Sequence, residues 1–210
     1  MKCLIITNNK GGTAKTTLAV HLLWWISNAL KKRVLLVDLD EEQGGNAVRW
    51  CMAHKIRKPE SGKIYESVWG GHCVYLPNNV PNNYDLIVVD TRPSATQLVQ
   101  MEDIVTHILV PFKGRFGREG LEDIIATIKE LQWDGRIPMK AIPVMTDTTI
   151  QANRDIEMAK KIGIPLMPAI KYFPFVDRAL EEGIPVWKTP WGIRSTLYER
   201  LKEIAEWVRP

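Results

Sequence analysis

Cysteine is scarce in this chain: Cys3, Cys51 and Cys73 are the only three among 210 residues, with no CxxC pair and an odd count. That excludes a disulfide framework and argues against an iron–sulfur cluster, leaving reduced, partly buried thiols. His54 and His72 stand near Cys51 and Cys73, but at spacings that match no standard metal site. Long apolar runs are missing as well. Nothing approaches the roughly 18 residues of a membrane span, and Cys3 to Ile6 is too short for the apolar core of a signal peptide, so stable membrane insertion is not expected. An excess of one charge is absent too. The net charge of +4 and a pI near 8.9 permit a nucleic-acid partner without establishing one. Neither a low-complexity linker nor an internal repeat interrupts the chain. With 45% hydrophobic and 25% charged residues, the composition agrees with a compact cytosolic enzyme, expected as one domain over residues 1–210 and large enough to bury a real core.

What is present begins with apolar runs at Cys3 to Thr7, Val34 to Leu39, Leu86 to Val89, Ile108 to Val110 and Ala141 to Met145, alternating with helix-length segments. That alternation predicts an α/β fold with a mostly parallel twisted sheet flanked by helices. The stretch Ile64 to Leu76, with Gly70-Gly71 inside it, is less regular and predicts an extra strand or hairpin. Directly behind the first run stands Lys10-Gly11-Gly12-Thr13-Ala14-Lys15-Thr16-Thr17, followed by an amphipathic helical stretch from Thr16 to Leu30. Strand, glycine turn and helix are the context of a phosphate-binding loop. Glycines let backbone N–H groups close around phosphate oxygens, and the helix start adds partial positive charge. Lys15 is expected to reach the β- and γ-phosphates and Thr16 to ligate Mg²⁺, while Gly12, Thr13 and Thr17 contact phosphates. Ala14 occupies a position where a left-handed backbone would be costly, so a negative φ is expected there.

Two further strands end in carboxylates. Arg33 to Asp40 (RVLLVDLD) carries Asp38 and Asp40, which alternation places on one side of the strand at its carboxyl end. Tyr84 to Ser94 (YDLIVVDTRPS) ends its apolar stretch at Asp90, positioned to hold the Mg²⁺ shell. Triphosphate, Asp40 and Asp90 then share the end of the sheet where ligands bind in open α/β folds.

The loop departs from the ordinary GxxxxGK[ST] pattern, because Asn9 and Ala14 fall on its two glycine positions. KGGxxKTT, with Lys10 at its head, resembles the deviant Walker A motif of the ParA/MinD family of P-loop ATPases. RVLLVDLD, YDLIVVDTRPS, ILVPFKGRFGREGL (Ile108 to Leu121) and RALEEGIPV (Arg178 to Val186) extend the resemblance over nearly the whole chain. The chain departs from the family at Glu41 to Gly45, where a DxDPQGN pattern is usual, and at Arg92, where DTPPS is usual.

The resemblance implies that Lys10 reaches across an ATP-sandwiched homodimer to the partner's nucleotide. It also implies that Asp40 orients the attacking water and that Asp38 supports it near Mg²⁺. Thr146-Asp147 is a candidate contact for the base, with Phe173-Pro174 nearby. Because the loop begins at residue 10, no N-terminal helix-turn-helix is expected. Short family members hold DNA without sequence preference in their ATP-bound dimeric state, and a centromere-binding adaptor protein triggers hydrolysis. The implied function is therefore DNA partition, with nucleoid association in the ATP state. Lys171, Arg178, Lys188, Arg194, Arg200 and Lys202 are the candidates for a basic surface.

One alternative is a membrane-positioned ATPase similar to MinD. Arg194 to Val208 is amphipathic, with Leu197, Leu201, Ile204, Ala205 and Val208 on one face. Its polar face mixes Glu199, Glu203 and Glu206 with Arg200 and Lys202, whereas lipid-binding faces are mainly basic. A helix packed on the core is the expectation, with the eight tryptophans as core and rim residues. A metabolic P-loop ligase or kinase is a further alternative; no segment dedicated to an acceptor substrate stands out in the sequence.

Overall fold

The computed structural model describes all residues except 93–95, 145–149, 172–173, 190–191 and 193–194. Seven strands form one sheet in the order β3-β4-β2-β5-β1-β6-β7. The strands are β1 (Lys2–Ile6), β2 (Val34–Asp38), β3 (Ile64–Glu66), β4 (His72–Tyr75), β5 (Leu86–Asp90), β6 (His107–Phe112) and β7 (Met139–Pro143). Every neighbouring pair is parallel except β3 with β4. The irregular stretch is thus a hairpin whose second strand joins the parallel sheet beside β2.

The apolar runs that became β1, β2, β5 and β6 are buried on both faces. Leu4 and Ile6 face one core cluster while Cys3 and Ile5 face the other, and the same division repeats in β2 and β5. Helices α1 (Lys15–Ala29), α2 (Asn46–Cys51), α6 (Phe175–Glu182) and α7 (Thr196–Val208) belong to the first face. Helices α3 (Thr96–Gln100), α4 (Gly114–Glu130) and α5 (Ile150–Lys160) accompany the second.

Helix α1 differs from its expected amphipathic form. Leu18 through Ile26 are all buried, because α2 and α7 cover the side that the sheet does not. Its centre is polar: His21 lies edge-on to Trp24, Trp50 and Trp187, with ring centroids 5.4, 5.1 and 5.5 Å away. The ring is placed by two backbone partners. Nδ1 is 2.6 Å from the Thr17 carbonyl, and Nε2 accepts the Val186 N–H at 3.0 Å. That second bond requires the proton on Nδ1, so the ring is neutral, and burial pushes its pKa down to about 4.

Helix α7 buries Leu197, Leu201, Ile204, Ala205 and Val208 in the first core cluster, as the sequence led one to expect. Among the described residues no helix is long and apolar enough to cross a membrane.

Both sheet edges are blunted. At β7, Ala141 exchanges hydrogen bonds with the following segment, accepting from Met167 and donating to Pro165. At the other edge β3 is only three residues long, with Lys63 beside it paired to Glu60 at 2.7 Å and Glu66 at its end.

Candidate active site

The loop between β1 and α1 lies at the carboxyl end of the sheet. Gly12 has φ 69° and Gly11 and Gly12 are exposed, so backbone is offered to solvent at the head of the loop. Lys15 opens α1 and is buried. Its ammonium lies 3.2 Å from the Lys10 carbonyl and 3.4 Å from the Asn8 carbonyl. Burial lowers its pKa, while Asp90 and Asp40 oppose the shift. The Thr13 hydroxyl also donates to the Lys10 carbonyl, at 3.2 Å.

Ala14 is a correction. Its φ is +61° with ψ 25°, not the negative φ expected. The chain must turn from loop into helix at this residue, and the Ala14 carbonyl accepts the Leu18 N–H at 3.0 Å as the first helical bond. A Cβ in this left-handed region costs about 1–2 kcal/mol relative to a right-handed backbone. The methyl group does pack on the first core cluster.

Three carboxylates converge on this loop. Asp38 and Asp90 are register partners on adjacent strands, and Asp38, Asp40 and Asp90 are all buried. The Thr16 hydroxyl donates to Asp90 Oδ2 at 2.7 Å, which joins the start of α1 to the end of β5. Asp90 Oδ1 is buried and has no hydrogen-bond partner. Burial first, then the neighbouring Asp38 charge, raise the Asp90 pKa well above the carboxylate range, against the Thr16 bond and the Lys15 charge.

Asp38 has a different environment. Its Oδ1 accepts the Asp40 N–H at 3.1 Å, and its Oδ2 accepts the N–H groups of Ala47 at 3.0 Å and Val48 at 3.4 Å. Burial pushes its pKa up to about 6 despite these bonds. Asp38 therefore caps α2 and ties it to the end of β2. Asp40 shapes the intervening turn, its Oδ1 accepting the Gln43 N–H at 3.1 Å. The segment Glu41 to Gly45, where the sequence departs from the family pattern, is a compact turn closed by these two aspartates.

An orphaned buried carboxylate oxygen next to a threonine hydroxyl is the hard-oxygen donor set that a Mg²⁺ ion takes. Thr16 and Asp90 fit that ion. Asp38, with both oxygens on backbone N–H groups, fits a supporting place beside it rather than direct ligation.

Lys10 stands apart from the carboxylates, on the side of the loop that meets α4. Sequence reasoning passed over the residue that joins this side of the loop to β6 and α4. Asn8 is fully buried and donates to the carbonyls of Pro111 at 2.9 Å and Gly117 at 3.0 Å, while its Oδ1 accepts the Lys10 N–H at 2.9 Å. The two carbonyls it reaches lie more than 100 positions away, so the only local signal was an amide shortly after a buried strand. Gln97 was also missed. Its side chain donates to the Leu39 carbonyl at 2.7 Å and accepts the Arg92 N–H at 2.9 Å, linking the two carboxylate-bearing loops. Arg92 is half-buried, and its Nε is shielded without a hydrogen-bond partner.

Several of the basic candidates are paired. Arg178 meets Glu182 at 2.6 Å, Arg200 contacts Glu203 and Glu199, and Lys202 lies 3.8 Å from Glu206. Lys171 and Lys188 are exposed. Arg194 falls outside the described residues, as do Thr146, Asp147 and Phe173.

Fold and loop together define a P-loop nucleotide-binding protein. The CbiA family model, the CobQ/CobB/MinD/ParA nucleotide binding domain, matches residues 4–186, and the chain belongs to that family. It is 28% identical over 158 residues to the chromosome-partitioning ATPase Soj of Thermus thermophilus, covering 61% of this chain and 62% of that protein. Among solved structures it resembles apo McdA of Cyanothece, with a TM-score of 0.78 at 17% identity over 97% of this chain and 98% of that one. It also resembles the MinD cell division protein of Aquifex aeolicus, with a TM-score of 0.73 at 17% identity over 98% and 97%. The protein is a ParA/MinD-family ATPase.

Proposed function

We propose that this ATPase partitions DNA. In this reading residues 1–210 act as one unit that binds ATP and Mg²⁺, dimerises around the nucleotide, and holds DNA without sequence preference until an adaptor protein stimulates hydrolysis. The observation that carries the catalytic part is the pairing of Thr16 with Asp90, whose second oxygen is buried and unpartnered. Similarity to Soj supports the partition role.

Hydrolysis follows from the residues at hand. Asp40, at the mouth of the turn, orients water for in-line attack on the γ-phosphate. Lys15 and the backbone of Gly11, Gly12 and Thr13 hold the β- and γ-phosphates, with Thr17 at the base of the loop. Lys10 of the partner copy stabilises charge on the transferring group. Mg²⁺, when bound by Thr16 and Asp90, neutralises phosphate charge. Asp40→Ala is expected to retain ATP without hydrolysing it. The burial of the apolar face of α7 counts against lipid docking by that helix.

The test is fluorescence anisotropy of a labelled random-sequence duplex titrated with the protein in three states: nucleotide-free, ADP, and ATP with Mg²⁺. Binding confined to the ATP state, weakened steeply by salt and lost in Lys10→Ala, is the expected result. Absence of binding in all three states would overturn the DNA reading.

A further inference from the structure

We infer that Asn8 is a positioning residue for Lys10, and that α4 rather than the loop alone sets where Lys10 points. The inference rests on the proposed role of Lys10 at the partner's γ-phosphate.

Lys10 is held at three points. Its N–H is taken by Asn8 Oδ1 at 2.9 Å, its carbonyl by Lys15 Nζ and the Thr13 hydroxyl, each at 3.2 Å, and its aliphatic stem lies over Gly120 of α4. A Cβ at Gly120 would come within 3.0 Å of Lys10 Cγ and would collide with Asn8 Oδ1. Gly117 makes a similar close approach, since a Cβ there would meet the backbone of Phe112 at 3.2 Å. Gly120 thus lets α4 approach the head of the loop, while Gly117, one helical turn before it, lets the start of α4 approach the end of β6.

The orientation of the Asn8 amide is determined by its partners. Two carbonyls, of Pro111 and Gly117, face its nitrogen and one N–H faces its oxygen, so a flipped amide would lose all three bonds. Asn9 adds an outer tie, its Nδ2 lying 3.4 Å from Asp123 Oδ2 on the same helix. The end of β6, the first turn of α4 and the backbone of Lys10 therefore form one hydrogen-bonded block centred on a side chain that does not itself face the phosphates. Lys15 and Thr16, which bind nucleotide within the same copy, begin α1; Lys15 touches the block only through its ammonium, 3.2 Å from the Lys10 carbonyl and 3.4 Å from the Asn8 carbonyl, backbone groups that do not depend on the Asn8 amide.

This separation gives a specific expectation. Loosening the block misdirects Lys10 while leaving Lys15 and Thr16 in place, so the chemical step suffers and nucleotide binding does not. Small displacements of a charge-stabilising group are costly, up to roughly 10²-fold per ångström.

The experiment is a double-mutant cycle on steady-state ATP hydrolysis with Mg²⁺, using wild type, Asn8→Ala, Lys10→Ala and the double variant, with melting temperature recorded for each. Asn8→Ala is expected to lower kcat about tenfold or more with KM changed less than about threefold. In the Lys10→Ala background the same substitution should change kcat no further. Equal fractional losses in both backgrounds would show that Asn8 serves folding alone and would overturn the inference. So would a wild-type kcat in Asn8→Ala when Lys10→Ala is slow. If Lys10→Ala itself turns over at the wild-type rate, the reading of Lys10 fails instead. Gly120→Ala keeps Asn8 but presses on its oxygen and on the Lys10 stem. It should reproduce the kcat loss and its dependence on Lys10, and it decides the matter should Asn8→Ala fail to fold; wild-type kcat in Gly120→Ala would then overturn the inference.

Discussion

Asp38 and Asp90 sit side by side at the ends of neighbouring parallel strands, and both are buried with raised pKa values. Their surroundings differ. Asp38 spends both oxygens on three backbone N–H groups, whereas Asp90 accepts one threonine hydroxyl and leaves its other oxygen orphaned. A buried carboxylate whose lone pairs are satisfied by its own chain stabilises that chain. One with an unsatisfied oxygen costs stability and is retained for what it binds. Burial and charge alone do not separate scaffold from site; the hydrogen-bond inventory does.

Isosteric substitution tests that difference most strongly at Asp90. Asp90→Asn should reduce ATP hydrolysis by roughly 10²-fold or more, and it should raise the melting temperature of the nucleotide-free protein, because a carboxyl whose ionisation is opposed by burial and by two neighbouring aspartates is replaced by a neutral amide. A fall in both activity and melting temperature would break the comparison.

His21 extends it to a third buried ionisable group whose polar atoms both have backbone partners. Its folded pKa, near 4, lies below the ordinary 6.5, so the neutral ring stabilises the fold above pH 6.5 and that contribution is lost as pH falls through 4. Over that window the loss is about 3 kcal/mol. Denaturant titrations at pH 7 and pH 4.5 should show His21→Gln losing less stability than wild type between the two.

Asp38→Asn should behave opposite to Asp90→Asn. An amide nitrogen must face either the Asp40 N–H or those of Ala47 and Val48, so stability should fall by about 1–3 kcal/mol, read as a lower denaturant midpoint. At the small end, Ala14→Gly relieves a left-handed backbone but frees the unfolded chain and removes a packed methyl. The net gain should be about 0.5 kcal/mol, visible as a rise in melting temperature of about 1–2 °C.

The sequence made β1, β2, β5 and β6 legible because each is buried on both faces and so appears as an apolar run. It made the loop legible because phosphate binding requires particular residues at fixed local spacing. What it hid are contacts that have no local pattern. The carboxylate of Asp38 reaches α2 across a turn, and Asn8 reaches α4 across more than 100 residues. The left-handed backbone of Ala14 is imposed by the loop-to-helix junction, against the preference of the residue itself. The all-round burial of α1 was likewise invisible, since its second covering surface comes from α7 at the far end of the chain.

The two blunted edges of the sheet bear on life at high local concentration. Crowding of many copies brings strand edges into repeated contact, which is the situation that seeds cross-β fibres. Here one edge is already occupied by the chain's own 165–167 segment, and the other is three residues long with Lys63 and Glu66 flanking an exposed Ile64. Crowding therefore offers neither edge as a template for amyloid growth.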